Sequence, residues 1–304
     1  MTEIKKRFRS IQWALYVMLI PGLILTAVYS YGPLAGLAIA FQKFNIAKGL
    51  FGSEWIGFDN FRYIFMLPEF GRVVFNTVYI AVAKMALNLI FPIFVAILLN
   101  EMRNLRLKRS VQTLIYLPHF ISWVIISGVL IDMLSPSTGI INRLIGFLGV
   151  EPVFFLGDKT LFPYVIILSD VWKSFGFGTI IYLAALTGID PSLYEAAYMD
   201  GAGRVRCIWH ITLPGIMPVI VLSATLTLGN VLNAGFDQVY NLYSPMVYQT
   251  GDIIDTLVYR LGMESSIPQY DIATAIGLFK SVVSFGLVSG AYWLAYRVAD
   301  YRIF

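Results

Sequence analysis

Glu195-Ala196-Ala197-Tyr198-Met199-Asp200-Gly201, followed ten residues after the glycine by Ile211-Thr212-Leu213-Pro214, lies between two long apolar runs of a 304-residue chain. A polar stretch so placed must be a loop or re-entrant element at a membrane face. Its residues read as helix, break, helix. Asp190 can cap a helix start, with Pro191 at the first helical position. Ser192 to Asp200 are mostly good helix formers. Gly201 is a natural stop, because glycine takes the left-handed cap conformation without strain. Glu195 is assigned to the first turn, where a carboxylate suits the helix dipole. A second helix is predicted over Arg204–Thr212, ending before Pro214. The loop as a whole is read as Thr187–Gly215.

Outward from this loop the chain is 58% apolar and 13% charged, too apolar for a soluble domain of average composition. Its uncharged runs exceed the ~20 residues needed to cross a bilayer. The sequence predicts an all-α integral membrane protein, a single domain over residues 1–304 with six spans. Span 1 lies within Ser10–Gln42, with kinks expected at Pro21-Gly22 and Gly32-Pro33. Span 2 is Val73–Leu99, span 3 Val111–Leu134, span 4 Leu161–Leu186, span 5 Ile216–Leu242 and span 6 Ile272–Tyr296. Tyr31–Phe61, Ser135–Thr160 and Ser244–Tyr270 are read as outer segments. The start Lys5-Lys6-Arg7-Phe8-Arg9 precedes an apolar run too long for a signal h-region, so an uncleaved first span is expected.

Charge gives the orientation. Segments read as inside hold twelve Lys and Arg: Lys5, Lys6, Arg7, Arg9, Arg103, Arg106, Lys108, Arg109, Arg204, Arg206, Arg297 and Arg302. Those read as outside hold seven over longer stretches: Lys43, Lys48, Arg62, Arg72, Arg143, Lys159 and Arg260. The positive-inside bias puts both termini and the loop in the cytoplasm. The net charge of +4 calls for no nucleic-acid partner. Cys207 alone excludes an internal disulfide and a Cys-based zinc site.

The spacing of Glu195-Ala196-Ala197, Gly201 and Ile211-x-Leu213-Pro214 closely resembles the EAA loop of ABC-importer permeases. Asp200-Gly201-Ala202 further resembles the maltose-permease-like carbohydrate branch. The aromatic and glycine spacing from Tyr31 to Phe61 is similar to the oligosaccharide permeases of the polysaccharide-uptake (LplB-like) type. The resemblance implies the type I ABC importer permease fold, with the loop as a cytoplasmic coupling helix. Glu195, Ala196, Ala197, Asp200, Gly201, Ile211, Leu213 and Pro214 would then form the ATPase-coupling surface. It also implies partners: a second homologous permease subunit, two cytoplasmic ATPases carrying ATP and Mg, and an extracytoplasmic solute-binding protein. The substrate would be an oligosaccharide crossing a bacterial inner membrane. The plain alternative is an ordinary surface helix between two spans.

Ionisable groups in spans cost ~2.5–3.5 kcal/mol each on insertion scales, so each needs a reason. Lys84 lies eleven residues into span 2, and Asp170 and Lys173 nine and twelve into span 4. At ~1.5 Å per residue all three fall near mid-bilayer. Asp170 and Lys173 are three apart and can pair on one face. They form a structural ion pair, or border with Lys84 a wet cavity that passes substrate, or face a second subunit. In span 5, Asn230, Asn233, Asp237 and Asn241, with Tyr240, are spaced as one helical face. Such groups recognise sugars, with Trp172, Phe175 and Phe177 to stack on them; equally, the amides can join neighbouring helices. Lys280 is expected to snorkel outward. Three lysines within spans suit an anionic sugar such as a uronate-containing oligosaccharide.

Lys280-Ser281 follows Phe279 where a P-loop needs glycine, so this chain binds no ATP by that motif and no cofactor is assigned to it. With only His119 and His210 there is no His-Glu-x-x-His, and Asp132 and Asp170 lack an aspartyl-protease context. The chain is read as a transport subunit and not an enzyme. A permease for a peptide, polyamine or amino acid, or a membrane enzyme acting on lipid-linked sugar, stand as alternatives.

Overall fold

The computed structural model describes the backbone of residues 2–299, with side chains from residue 13 to 293 except 14 and 291. The basic start and the tail read over Arg297–Phe304 lie outside those side chains. Among the described residues five helices are long and apolar enough to cross a membrane, and one bent pair brings the number to six. The contacts divide the chain into two compact units, Met1–Met66 with Val258–Leu278, and Leu67–Leu257 with Phe279–Phe304.

The first unit opens with α1 (Thr2–Thr26), which continues as a π turn over Ala27–Tyr31 and a 3-10 segment over Gly32–Phe41. Pro21 sits inside α1 without ending it. The change of helix type comes instead before Gly32-Pro33. Strands β1 (Gln42–Lys43) and β2 (Glu54–Trp55) pair antiparallel, Gln42 opposite Trp55. The Asn60 amide donates to the carbonyls of Ala40 and Gln42, both at 2.9 Å. Phe41 stacks on Trp55 and meets Phe58 edge-on. The glycine- and aromatic-rich loop is therefore an ordered piece.

The second unit is built on α2 (Phe70–Glu101), α3 (Leu105–Tyr116), α4 (Trp123–Leu134) and α5 (Phe162–Leu186). They are followed by α6 (Pro191–Met199), α7 (Leu213–Leu228), α8 (Phe236–Leu242) and the later part of α9 (Tyr270–Ala299), whose start up to Leu278 belongs to the first unit. Gly176 lets α5 touch α3, since a Cβ there would lie 1.9 Å from the Ile115 carbonyl oxygen. Gly178 meets Pro92 of α2 in the same way. Small residues at such crossings are how membrane helices gain contact, because lipid tails already satisfy apolar surface. Ile80, Phe162, Ile166, Val239 and Ile253 form the main core, and Ala96, Tyr182, Leu186 and Ile216 a second.

Two predicted spans are broken. Span 3 was expected to run unbroken over Val111–Leu134. Instead a 3-10 turn at Leu117–Phe120 and extended Ile121 and Ser122 separate α3 from α4, which are bent by 104°. Pro118 removes the N–H that would continue the first helix. Ser122 then caps the second by accepting from the Ile125 N–H. Span 5 was expected as one helix over Ile216–Leu242. It stops at Leu228, turns through residues 229–235, and resumes as α8. Gly235 has φ +88°, and the Asn233 side chain takes the Gly235 N–H, a local bond that competes with helix.

Breaks at membrane depth are tolerated only where protein groups satisfy the freed backbone. Lys84 of α2, only 5% exposed, does this for the second break. Its Nζ donates to the Ala234 carbonyl at 2.6 Å and to Gln238 Oε1, with Asp170 Oδ1 of α5 3.6 Å away. Gln238 in turn donates to the Ile166 carbonyl and Ser169 Oγ, and Asn88 donates to Asp170 Oδ2. The segment before α9 is held likewise. Asn76 donates to the Gln249 and Asp252 carbonyls, and Thr77 Oγ1 accepts from the Ile254 N–H. Ile253, Ile254 and Leu257 are thereby buried, so this part of the predicted outer segment is core.

Lys84→Met would strand the Asp170 carboxylate and the Ala234 carbonyl. Removing one partner of a buried pair costs ~3–5 kcal/mol, so the melting temperature of the purified protein in detergent should fall markedly. Asp170→Asn added to it should recover part of the loss. An unchanged melting temperature for Lys84→Met would contradict the network's role.

Candidate coupling elbow and substrate path

The loop that opens the sequence forms a defined elbow. Asp190 Oδ1 accepts from the Ser192 N–H at 2.9 Å, capping α6 ahead of Pro191. The backbone and side-chain bonds from Ser192 hold this carboxyl below the usual range. At the other end Asp200 is the last cap, and Gly201 takes φ +78°. The Gly201 N–H returns to the Tyr198 carbonyl and that of Ala202 to Ala197, the two bonds of a Schellman stop. A Cβ at Gly201 would meet nothing within 4 Å. The demand for glycine there is conformational and not steric.

Two local expectations are corrected. The helix starts at Pro191 and has no acidic residue in its first turn. Glu195 therefore lies beyond the reach of the dipole, and it is exposed. The second helix also does not end before Pro214. Arg204–Cys207 runs through a π turn at Ile208–Thr212 directly into α7. In that wider turn the Leu213 N–H bonds to the Ile208 carbonyl. This lets the helix pass Pro214, whose ring would otherwise press on the carbonyl four residues back. A helix long and apolar enough to cross a membrane thus begins at Arg204, within the stretch Thr187–Gly215 read as the loop.

Its outward face carries Glu195, Ala196, Tyr198, Met199 and Asp200, all exposed, with Met199 at 88%. Val205 and Trp209 continue the apolar part. Ala197, Ile211 and Leu213 are half-buried, and Pro214 is exposed. An apolar, small-residue face flanked by two carboxylates suits close docking of another protein backbone.

The in-span polar residues divide into three groups. Lys84 and Asp170 belong to the buried network described above. Lys173 does not pair with Asp170 as expected. Its Nζ donates to the His119 carbonyl at 2.8 Å and lies over the Trp123 ring, satisfying a carbonyl freed by the α3–α4 break. His119 stacks on Phe177, centroids 4.1 Å apart. Trp172 lines an apolar hollow with Ile125, Val129, Tyr164 and Leu168, away from the amides. The predicted face of Asn230, Asn233, Asp237 and Asn241 is split by the break. Asn241 donates to the Asp237 carbonyl within α8, and Tyr240 stacks on Phe236.

Asn230 and Asn233 instead open on a cavity of about 410 Å³, lined also by Phe236, Asp255, Lys280 and Ser284. Lys280 does not snorkel. It donates to both carboxylate oxygens of Asp255, at 2.6 and 2.7 Å. Sequence reasoning missed this pair, and Gln238 and Asn88 as well. Part of the signal was present: Asn88 interrupts an apolar run, and the segment before span 6 offers the span's lysine an acid in Asp255. The cavity offers hydroxyl-binding donors and acceptors with no net charge from the pair. Among the described residues no three His, Cys, Asp or Glu side chains are grouped to hold a metal ion.

Residues 88–300 match the family described as binding-protein-dependent transport system inner membrane component. LplB of Bacillus subtilis (strain 168) is 42% identical over 290 residues, covering 95% of this chain and 91% of its own length. The polygalacturonan/rhamnogalacturonan transport system permease protein YteP of the same organism is 42% identical, with 95% and 90% covered. Among solved structures, a bacterial alginate ABC transporter in complex with an alginate pentasaccharide-bound periplasmic protein contains a similar chain. It superposes with a TM-score of 0.86 at 38% identity, covering 96% of this chain and 97% of that one. The fold is thus that of an ABC importer permease, and the chain belongs to the family of binding-protein-dependent transport system inner membrane components.

Proposed function

We propose that this chain is the permease subunit of a bacterial ABC importer that moves oligosaccharides into the cytoplasm. The observation that carries the reading is the elbow: an exposed, Schellman-stopped helix continuous through a π turn with a membrane-crossing helix. The similarity to a polygalacturonan/rhamnogalacturonan permease and an alginate importer supports the substrate class. ATP and Mg are handled by two cytoplasmic ATPases, one of them docked on Glu195, Ala196, Ala197, Asp200 and Gly201 of this chain. A second homologous permease completes the path, and an extracytoplasmic binding protein delivers the sugar. The whole chain acts as one transport domain. Both termini and the elbow face the cytoplasm, a reading supported by the lysine and arginine distribution.

The cavity of Asn230, Asn233, Phe236, Asp255, Lys280 and Ser284 is the sugar path in this subunit. An ammonium and a carboxylate held side by side can serve vicinal hydroxyls, and Phe236 offers an apolar wall. Lys84 and Lys173 are occupied with backbone carbonyls, which leaves Lys280 as the in-span lysine that lines the cavity. The pocket reads hydroxyls whether or not the sugar is acidic.

Two outcomes follow. Gly201→Asp strains the left-handed stop by ~1–2 kcal/mol and adds a charge to the docking face. Uptake by the assembled importer should be lost while membrane insertion is retained, and full uptake would defeat the coupling role. Lys280→Met should lower uptake of a neutral galacto-oligosaccharide and an oligogalacturonate by similar factors. Loss confined to the acidic sugar would show that the pocket reads carboxylates instead.

A further inference from the structure

The elbow helix α6 is loosely held. None of its residues is buried, and it hangs between the Asp190 cap and the Gly201 stop. Among the described residues, one side-chain hydrogen bond joins it to another element: Tyr194 OH to Thr212 Oγ1, at 3.0 Å. Thr212 is 3% exposed and lies at the end of the π turn. Its own hydroxyl donates to the Cys207 carbonyl, which leaves Tyr194 as the donor between the two. The bonds therefore form a chain from α6, through Tyr194 and Thr212, to the main chain of the π turn.

Two neighbours give this chain mechanical meaning. Ile189, just before α6, lies against Gly215, where a Cβ would come within 2.8 Å of Ile189 Cδ1. That contact marks where α6 leaves the span. One turn beyond Thr212, Ile216 is fully buried with Ala96 of α2 and Tyr182 and Leu186 of α5. The base of α7 is thus gripped by the core, and a displacement entering at Thr212 meets packed helices instead of lipid. A π turn holds one extra residue in its ring and marks functional positions in many helices.

Resting on the importer reading above, we propose that the Tyr194–Thr212 hydrogen bond is the strut that passes movement of α6 into the base of α7. Tyr194 and Thr212 are positioning residues. Without their bond α6 still docks on its ATPase but swings on the Ile189–Gly215 contact and the Gly201 stop.

The test uses the assembled complex in nanodiscs, with Ser284→Cys as a reporter in the cavity. The rate of its modification by a membrane-impermeant maleimide is measured with and without a non-hydrolysable ATP analogue. The nucleotide should change the rate in the parent complex. Tyr194→Phe and Thr212→Val should each reduce that change about fivefold, the worth of one ordinary hydrogen bond. The double variant should be no worse than either, ATPase copurification should be unaltered, and Thr212→Ser should respond as the parent does. A full nucleotide response in Tyr194→Phe would overturn the strut. So would a reduced response accompanied by loss of the ATPase, which would mark Tyr194 as packing alone. A parent complex that neither retains an ATPase nor responds to nucleotide would remove the importer reading and the strut together.

Discussion

A bilayer offers no water to a broken helix, and this protein breaks two of its spans. The buried Lys84 ammonium is the interaction on which the second break depends. It takes the Ala234 carbonyl and Gln238 while Asp170 balances its charge. Burying a lone ammonium would cost several kcal/mol. Burying it amid a carbonyl, an amide oxygen and a carboxylate turns the same charge into a joint between α2, α5 and the segment leading into α8. Lys173 does the same for the first break through the His119 carbonyl.

The break in turn gives the chain a polar interior. A continuous helix over Ile216–Leu242 would have set Asn230 and Asn233 in line with Asp237 and Asn241. The turn at residues 229–235 brings the first two to a cavity shared with the Lys280–Asp255 pair. Behind that turn the Lys84 ammonium takes the Ala234 carbonyl. At the other end of α7 the helix passes Pro214 without a break, through a π turn, and so joins the elbow to the same helix that leads to the cavity.

The sequence spoke most clearly where one residue type has one conformational meaning. Asp190-Pro191 and Gly201 placed α6 to within a residue, because a cap and a left-handed stop are local properties. Apolar length located six spans, and the membership of the family follows the spacing of Glu195 to Pro214. Where partners come from distant segments, the sequence was silent or misleading. Asp170 and Lys173 are neighbours on a helix, yet each finds its partners on other helices or turns. Lys280 had an apolar stem suited to snorkelling, but Asp255 lay within reach in the fold. Pro214 and Pro118 look alike in sequence. One is absorbed by a π turn and the other ends a helix.

The central claim is that the exposed elbow of α6 faces the cytoplasm, where an energy-supplying partner can grip it. Cysteine labelling of Met199→Cys tests this most directly, since the native Cys207 is buried. A membrane-impermeant thiol reagent should modify this variant in inside-out vesicles and leave it untouched in right-side-out vesicles. Modification from the outer side would contradict the account.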